Sequence, residues 1–162
     1  MTVRPVLRLP HPVLKEVAKG AGGSELIQNL VDTMYSSPAC VGLAANQIGV
    51  AARAFVVDVT NHPKTTTCHG LVALEEPAVL SIEGSVVGRE GCMSVPDLTA
   101  NVIRADSIVV AGTSPEGEQI EIATEGFEAR ALQHELDHLD GVLILDRVAS
   151  LSTDVFRRKV YR

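Results

Sequence analysis

The segment 126–140 constrains the fold more than any other part of the chain, because it predicts an amphipathic helix with two histidines on its polar side. Three leucines recur on one face at helical spacing: Leu132, Leu136 and Leu139. His134 and His138 are four residues apart, so their imidazoles would lie on one face of the helix, one turn apart. The chain must therefore pack a core against this helix while leaving both imidazoles access to a common point.

Elsewhere the pattern predicts two further helices and a series of strands, in the order typical of α+β proteins. The expected elements, bounded by proline, glycine and polar turns, are helices at 24–37 (with Ser24 as N-cap) and 151–160, strands at 52–59, 71–74, 79–88, 102–112 and 118–124, and a polar surface loop at 60–70. We expect a single domain over 1–162 in which mostly antiparallel sheets pack around the central helix, followed by a C-terminal helix.

The composition restricts the class of protein and its partners. Of 162 residues, 46% are hydrophobic but only 3% aromatic, so the core must consist largely of aliphatic side chains. The net charge of −6 argues against DNA or an anionic membrane surface as a partner. The chain shows no bilayer-spanning apolar run, no secretory pattern at its start, and only three cysteines. We expect a cytoplasmic monomer.

The helical motif His134-Glu135-Leu136-Asp137-His138 indicates a metal site. Two imidazoles at this spacing can hold one cation, and Glu135 beside the first ligand can serve a bound water. The alternative is an exposed helix that carries these residues by coincidence. Acids and imidazoles in an otherwise apolar helix need compensation when they are buried, which favours the metal.

A catalytic metal usually has three protein ligands and one open position, so a third ligand is required. After His138 the chain contains no histidine or glutamate, which weakens the interpretation as an ordinary metalloprotease. Cys92 is the best upstream candidate, although a free cysteine is more often simply a small buried residue. A competing cluster falls in the polar loop and is interpreted as solvated surface: Cys68, His69 and His62.

Three separated motifs together resemble those of the peptide deformylase family. They are Gly42-Leu43-Ala44-Ala45-Asn46-Gln47-Ile48-Gly49, Glu90-Gly91-Cys92-Met93-Ser94 and Gln133-His134-Glu135-Leu136-Asp137-His138-Leu139. They occur in the family's order, and the likeness covers nearly the whole chain. One position departs from the pattern: the first motif usually begins with a glycine, where this chain has Cys40, whose side chain could crowd a bound peptide.

The resemblance implies a metal-dependent hydrolase that removes the formyl group from N-formylmethionine at the start of nascent peptides. It implies one divalent ion per chain, held by Cys92, His134 and His138. Fe(II) is the native ion that the resemblance implies, while Zn(II), Ni(II) or Co(II) also suit such ligands.

The resemblance also implies roles for residues around the metal. A water activated by the metal would attack the formyl carbon, and Glu135 would take its proton and pass it to the leaving amine. The side-chain amide of Gln47 and the backbone N–H of Met93 would donate to the oxyanion. Gln47 could instead be a turn residue that makes only local hydrogen bonds.

Further residues are expected to bind the substrate or to support the ligands. The peptide would add a strand along Val41, Gly42 and Leu43. The methionine side chain would contact residues that could equally be plain core: Val41, Phe127, Ala131 and the stem of Arg130. Arg104 would pair with Glu90 or Asp137 and stiffen the loop around Cys92, unless it is a solvated strand residue.

Two other functions and one further partner are alternatives at this point. The chain could be a small HExxH metalloprotease, or a catalytically weak deformylase-like protein that acts on another formyl or acyl amide. The basic stretch 156–162 could bind ribosomal RNA near the peptide exit, as such a tail can in the family. It could equally be a solvated helix end whose cations suit the helix dipole.

Overall fold

Three helices and eight strands make up the fold of the computed structural model, which describes residues 2–158. The helices are α1 (Ser24–Ser36), α2 (Gly126–Leu139) and the short α3 (Ile144–Arg147), with 3-10 turns at Pro12–Lys15 and Ala45–Ile48. The strands are β1 (Gly42–Ala44), β2 (Ala54–Val57), β3 (Val72–Glu83), β4 (Val86–Cys92), β5 (Val95–Arg104), β6 (Ser107–Thr113), β7 (Gln119–Glu125) and β8 (Val155–Arg157).

The strands form two antiparallel sheets on either side of α2. The first sheet has the order β1-β2-β3-β6-β7, and the second has the order β4-β5-β8. All six strand pairs are antiparallel. The predicted fold class, α+β with antiparallel sheets around the central helix, is therefore confirmed. Because β1 is an edge strand of the first sheet, it is the strand that an extended peptide could pair with.

Alternation along β2 explains how the first sheet carries a helix on each face. Phe55 packs in the core shared with α2, whereas the next residue, Val56, packs in the core shared with α1. Neighbouring strand residues point to opposite faces, so this segment must be apolar throughout. The three predicted leucines of α2 belong to the first of these cores, and burial of each contributes about 1.5–3 kcal/mol.

The predicted helix over 151–160 is wrong in the described residues. Residues 151–154 form a turn, and Val155–Arg157 pairs with Leu98–Ala100 of β5 as strand β8. A β-branched and an aromatic residue beside an open sheet edge favour strand pairing over a short helix. A helix does lie in the C-terminal part of the chain, but it is α3, which the sequence did not indicate.

Two of the predicted strands are divided because the chain changes sheets. The segment 79–88 breaks at Gly84, where a φ of +77° takes the chain from β3 in the first sheet to β4 in the second. The segment 102–112 breaks at Ala105–Asp106, where the chain returns from β5 to β6. Since both sheets contact α2, these two crossings bring their residues to the central helix from opposite sides.

The start of α1 also differs from the prediction. Ser24 is the first helical residue rather than the N-cap, and Gly23 occupies the N-cap position without a side-chain hydrogen bond. The backbone N–H groups of Gly22 and Gly23 instead donate to Glu75 Oε1, at 2.9 and 2.6 Å. The Glu75 carboxylate of β3 therefore accepts the hydrogen bonds of the N–H groups before α1. Glu75 is far from α1 in the sequence, so the local pattern did not predict this contact.

Candidate active site

A thiol and two imidazoles meet where the end of β4 crosses α2. Cys92 Sγ lies 3.4 Å from His138 Nε2, which in turn lies 3.2 Å from His134 Nε2. One ligand atom from each residue falls within 4.8 Å of the others. Helical spacing places the two imidazoles together, and the pairing of β4 with β5 brings Cys92 to them.

The donor set fits a divalent metal. His134 Nδ1 lies 2.8 Å from Glu90 Oε1, so the proton of a neutral His134 ring belongs on Nδ1, and Nε2 presents its lone pair. That lone pair faces His138 Nε2 and the sulfur of Cys92, an arrangement that a cation stabilises. One sulfur and two nitrogens suit Fe(II), Zn(II), Ni(II) or Co(II) rather than Mg²⁺ or Ca²⁺.

The surroundings of Cys92 favour its thiolate form. Burial alone would raise the pKa of this thiol, but the adjacent His138 and His134 rings lower the pKa well below its usual value. A thiolate is the form in which cysteine binds metal. Cys92 is therefore suited to be a ligand rather than the inert buried residue considered in the sequence analysis.

Glu90 holds His134 in place and is itself held by two arginines. Arg104 donates to both of its oxygens at 2.9 Å, from Nε and Nη2, and Arg130 Nη1 donates to Oε2 at 2.6 Å. Burial would raise the pKa of Glu90, but the His134 hydrogen bond and the Arg104 guanidinium lower it. Glu90 therefore stays ionised and fixes the tautomer and orientation of His134.

Arg104 connects this carboxylate to α2. It is 5% exposed and also donates from Nη1 to Asp137 Oδ2 at 2.5 Å, so it contacts both of its predicted partners. Asp137 receives two further hydrogen bonds from Arg147 of α3, at 2.9 and 2.7 Å. The alternative of a solvated Arg104 is wrong, because this side chain lies between β4 and α2.

Glu135 differs from every other acid in the site because it lacks a partner. Its Oε1 is buried and has no hydrogen-bond partner among the described residues. Burial raises its pKa. A Cβ at position 42 would lie 2.5 Å from Glu135 Oε2. The lack of a side chain at Gly42 therefore leaves room for this carboxylate. A buried carboxylate without a hydrogen-bond partner has free lone pairs with which to accept a proton.

Gln47 and Met93 both lie close to Cys92 and line the cavity. Gln47 Oε1 accepts from the backbone N–H of Ala44 at 2.9 Å, which orients its Nε2 toward Ser94 Oγ, at 3.1 Å, and toward Cys92 Sγ, at 3.8 Å. Met93 lies in the turn between β4 and β5 and lines the same cavity. Gln47 therefore makes the local hydrogen bond to Ala44 through Oε1 and also directs its Nε2 toward Cys92.

A cavity of about 270 Å³ opens beside these groups. Five of the six residues predicted to bind substrate line it: Val41, Gly42, Phe127, Arg130 and Ala131. The side chain of Leu43 is instead buried in the core beneath α1, so this residue could contact a peptide only through its backbone. Arg130 contributes more than the predicted apolar stem, since its guanidinium holds Glu90 and the Val86 and Val102 carbonyls.

The loop at 60–70 is not wholly solvated, contrary to the prediction. His62 is half-buried, stacks on Phe127 with 4.1 Å between ring centroids, and lines the cavity. His69 contacts the buried Glu128 of α2 through both its ring Nδ1 and its backbone N–H. Packing against an aromatic and a carboxylate of α2 explains these histidines, which the sequence offered only as a possible metal cluster.

Cys40 also lines the cavity without joining the ligand group. Its Sγ donates to the carbonyl of Gly42, with 3.3 Å between sulfur and oxygen. Burial raises the pKa of this thiol to about 12, and the Glu135 carboxylate adds to the effect. Cys40 is therefore a neutral residue in the wall of the cavity.

Sequence reasoning predicted the supporting contacts of Arg104 but missed those of Arg130 and Arg147. The contacts of Arg130 with Glu90 and of Arg147 with Asp137 join segments far apart in the chain. Ser94 stood within the second motif and was the one such residue that adjacency could have suggested. Among the described residues, no helix is both long and apolar enough to cross a membrane.

Comparison with known proteins agrees with this geometry. The family model described as "Polypeptide deformylase" matches residues 3–154. A peptide deformylase of Halothermothrix orenii is 42% identical over 151 residues, which cover 93% of this chain and 92% of that protein. A crystal structure of peptide deformylase from Thermotoga maritima superposes with a TM-score of 0.82 at 36% identity, covering 93% of this chain and all of that one.

A structure with a bound peptide is similar too. It is a class I type b peptide deformylase from Acinetobacter baumannii with Met-Ala-Ser bound, which has a TM-score of 0.83 at 30% identity and covers 91% of this chain and 99% of that one. Since the family model spans nearly the whole chain and the relatives align over almost their full lengths, the chain belongs to the polypeptide deformylase family.

Proposed function

We propose that this chain hydrolyses the formyl group from N-formylmethionyl peptides, with the cavity beside Cys92, His134 and His138 as its active site. The polypeptide deformylases are metalloenzymes, and the ligand atoms of these three residues lie within 4.8 Å of one another. The convergence of this donor set with an unpartnered buried Glu135 is the observation that carries the proposal.

In this proposal the three ligands hold one divalent ion. When bound, such an ion acts as a Lewis acid that acidifies water and polarises the formyl carbonyl. Glu135 takes the proton of the attacking water at its unpartnered Oε1 and later delivers it to the leaving amine. Burial raises the pKa of Glu135, which makes the carboxylate a stronger base toward the attacking water.

The oxyanion is stabilised by two donors that lie close to Cys92. Gln47 Nε2 turns from Ser94 Oγ, its present acceptor, to the developing oxyanion, and the backbone N–H of Met93 provides a second donor. Removing one such donor typically costs about 100–1,000-fold in kcat. The substrate backbone pairs with β1 at Val41–Leu43, and the methionine side chain fills the space beside Phe127.

A formate-release assay tests this proposal. Protein purified without oxygen and analysed for metal is expected to release formate from formyl-Met-Ala-Ser and to contain about one metal per chain. Glu135→Gln is expected to abolish release while leaving the metal content unchanged. Glu128→Gln is the matched control, because Glu128 is also a buried acid of α2 but contacts His69 and Thr124 instead of the cavity.

Two results would overturn the assignment. Formate release by Glu135→Gln at the wild-type rate would remove the proposed acid–base group. Cleavage of casein by the wild-type protein, with no formate released from any formyl peptide, would favour the metalloprotease alternative.

The proposal also extends to the ion, the setting and the remaining partners. We infer that Fe(II) is the native ion, which elemental analysis tests. We also infer that the chain is a single domain and a monomer, which light scattering tests. We place it in the cytoplasm, which cell fractionation tests. We also propose the ribosome contact through 156–162, of which residues 159–162 lie outside the described part. Truncation after Arg158 is expected to reduce the amount of this protein that sediments together with ribosomes.

A further inference from the structure

One face of the second sheet forms the rim of the cavity. The antiparallel register sets Arg89 of β4 opposite Asn101 of β5, and Thr99 of β5 opposite Phe156 of β8. Arg158 extends this pairing, since its backbone N–H donates to the Asp97 carbonyl at 2.9 Å. Side chains alternate along a strand, so Phe156 and Arg158 share the cavity face, while Arg157 points to the other face.

The guanidinium of Arg158 lies directly over Gly91. A Cβ on Gly91 would be 2.4 Å from Arg158 Nη2, so a side chain at this position would displace the guanidinium from its place over Gly91. Nη2 is 3.5 Å from the carbonyl oxygen of Cys92, a long contact. Arg158 Nε is buried and has no hydrogen-bond partner in residues 2–158. The guanidinium is thus placed beside the metal ligand with most of its donors unused.

Arg89 is positioned on the same rim by neutral groups alone. Its Nε donates to Asn101 Oδ1 at 3.0 Å, and its Nη1 is 3.4 Å from Thr99 Oγ1. Its Cζ lies 3.6 Å from the centroid of the Phe156 ring. These contacts fix the orientation of the guanidinium without neutralising its charge.

The two rim arginines differ from the arginines deeper in the site. Arg104 and Arg130 are each paired with the buried Glu90. Within the described range, no carboxylate forms an ion pair with Arg89 or Arg158. The whole chain carries a net charge of −6, so a cationic rim does not follow from its composition.

We propose that Arg89 and Arg158 form a subsite for a carboxylate of the peptide substrate, downstream of the formylmethionine. This inference rests on the proposed function. A planar guanidinium pairs well with a carboxylate, and two of them on one rim would favour peptides with an acidic side chain near the N-terminus or with a free C-terminal carboxylate close by. The site therefore distinguishes formyl peptides by the charge that follows the methionine.

The test compares peptides that differ only in this charge. Formyl-Met-Ala-Glu-amide and formyl-Met-Glu-Ser-amide carry a side-chain carboxylate, their glutamine counterparts carry none, and formyl-Met-Ala-Gln acid carries only the C-terminal one. We expect kcat/KM to be about fivefold higher for a charged peptide than for its neutral counterpart, the upper range for a partly exposed ion pair. Arg89→Gln and Arg158→Gln should each reduce this ratio toward one. Arg157→Gln removes the same charge from the opposite face and should leave the ratio unchanged.

The set of peptides identifies which carboxylate of the substrate occupies the subsite. A preference confined to the glutamate peptides, or confined to the free acid, supports the subsite with that occupant. Equal kcat/KM for all peptides, or a preference that Arg157→Gln lowers as much as Arg158→Gln does, overturns it while leaving the proposed function intact.

Binding gives a second measurement that is independent of turnover. If no peptide yields formate, the proposed function fails. The subsite is then decided by calorimetric titration of the metal-loaded protein with the same peptides. Tighter binding of the charged peptides that is lost in Arg158→Gln supports the subsite, and equal binding overturns it.

Discussion

Replacing Arg104 with methionine tests whether the buried ion-pair network controls the metal site. Arg104 makes three hydrogen bonds to two buried carboxylates, two at 2.9 Å to Glu90 and one at 2.5 Å to Asp137. Methionine fills much of the same volume but leaves both carboxylates without this donor. Breaking one partner of a buried ion pair costs about 3–5 kcal/mol.

The loss is expected at the lower end of that range, because neither carboxylate becomes fully unpaired. Glu90 keeps Arg130 and His134, and Asp137 keeps Arg147. We therefore expect the free energy of unfolding of the metal-free protein to fall by about 3 kcal/mol. Glu90 would also hold His134 less firmly, and loss of such a supporting contact typically weakens metal binding about 10–100-fold.

Two measurements on Arg104→Met check these values. Denaturant unfolding of the metal-free protein gives the stability, and competition with a chromophoric chelator gives the metal affinity. Arg147→Met is the matched control, because Arg147 contacts Asp137 but not Glu90 and its side chain is 49% exposed. We expect this control to lose at most about 1 kcal/mol and to bind metal as the wild type does.

One pattern of results would refute the reasoning. If Arg104→Met binds metal within twofold of the wild type, Glu90 does not need Arg104 to orient His134. The same conclusion follows if both arginine variants weaken metal binding equally, since the effect would then pass through Asp137.

Other contacts in the site lead to three further predictions. Gly42→Ala would place a methyl group 2.5 Å from Glu135 Oε2, and moving that carboxylate by about 1 Å is expected to lower kcat about 100-fold at unchanged metal content; an unaltered kcat would contradict this. Chelation is expected to lower the Tm of the wild type in scanning calorimetry, because a bound ion stabilises only the folded state. It is expected to leave the Tm of Cys92→Ala unchanged, because this variant lacks one of the three proposed ligands. Since the pKa of the Cys40 thiol is about 12, about one molecule in 10,000 is thiolate at pH 8. Iodoacetamide should therefore alkylate Cys40 slowly at pH 8, as mapped by mass spectrometry, and about tenfold faster for each pH unit above 8 while the protein stays folded. Alkylation at pH 8 as fast as in the unfolded chain would refute this.

Local spacing was enough to predict the part of the site that lies on one element. The four-residue interval between His134 and His138 fixes the relation of their rings wherever α2 lies. No such rule links Cys92 to that helix, because the approach of β4 depends on the two points at which the chain changes sheets. The resemblance to a family supplied what periodicity could not.

The contacts around the ligands were predicted only in part, because they join distant segments. Arg104 was expected to pair with Glu90 or Asp137, and it pairs with both. Arg130 was expected to contribute only its apolar stem, whereas its guanidinium reaches Glu90, 40 residues away in the chain. The same limitation explains β8, since the edge of β5 that it pairs with is not visible in residues 151–160.

The opposite treatment of two buried glutamates shows how the fold assigns their chemistry. Glu90 contacts two guanidinium groups and an imidazole. Burial would raise its pKa, but the His134 imidazole and the Arg104 guanidinium lower it. Glu135 is equally buried but lacks a hydrogen-bond partner for Oε1, so burial dominates and its pKa rises. A pair of acids whose pKa values are pushed apart in this way separates a permanent charge from a group that exchanges protons. In the proposed mechanism the proton transfers take place on Glu135, so Glu90 would stay ionised and orient His134 throughout the reaction.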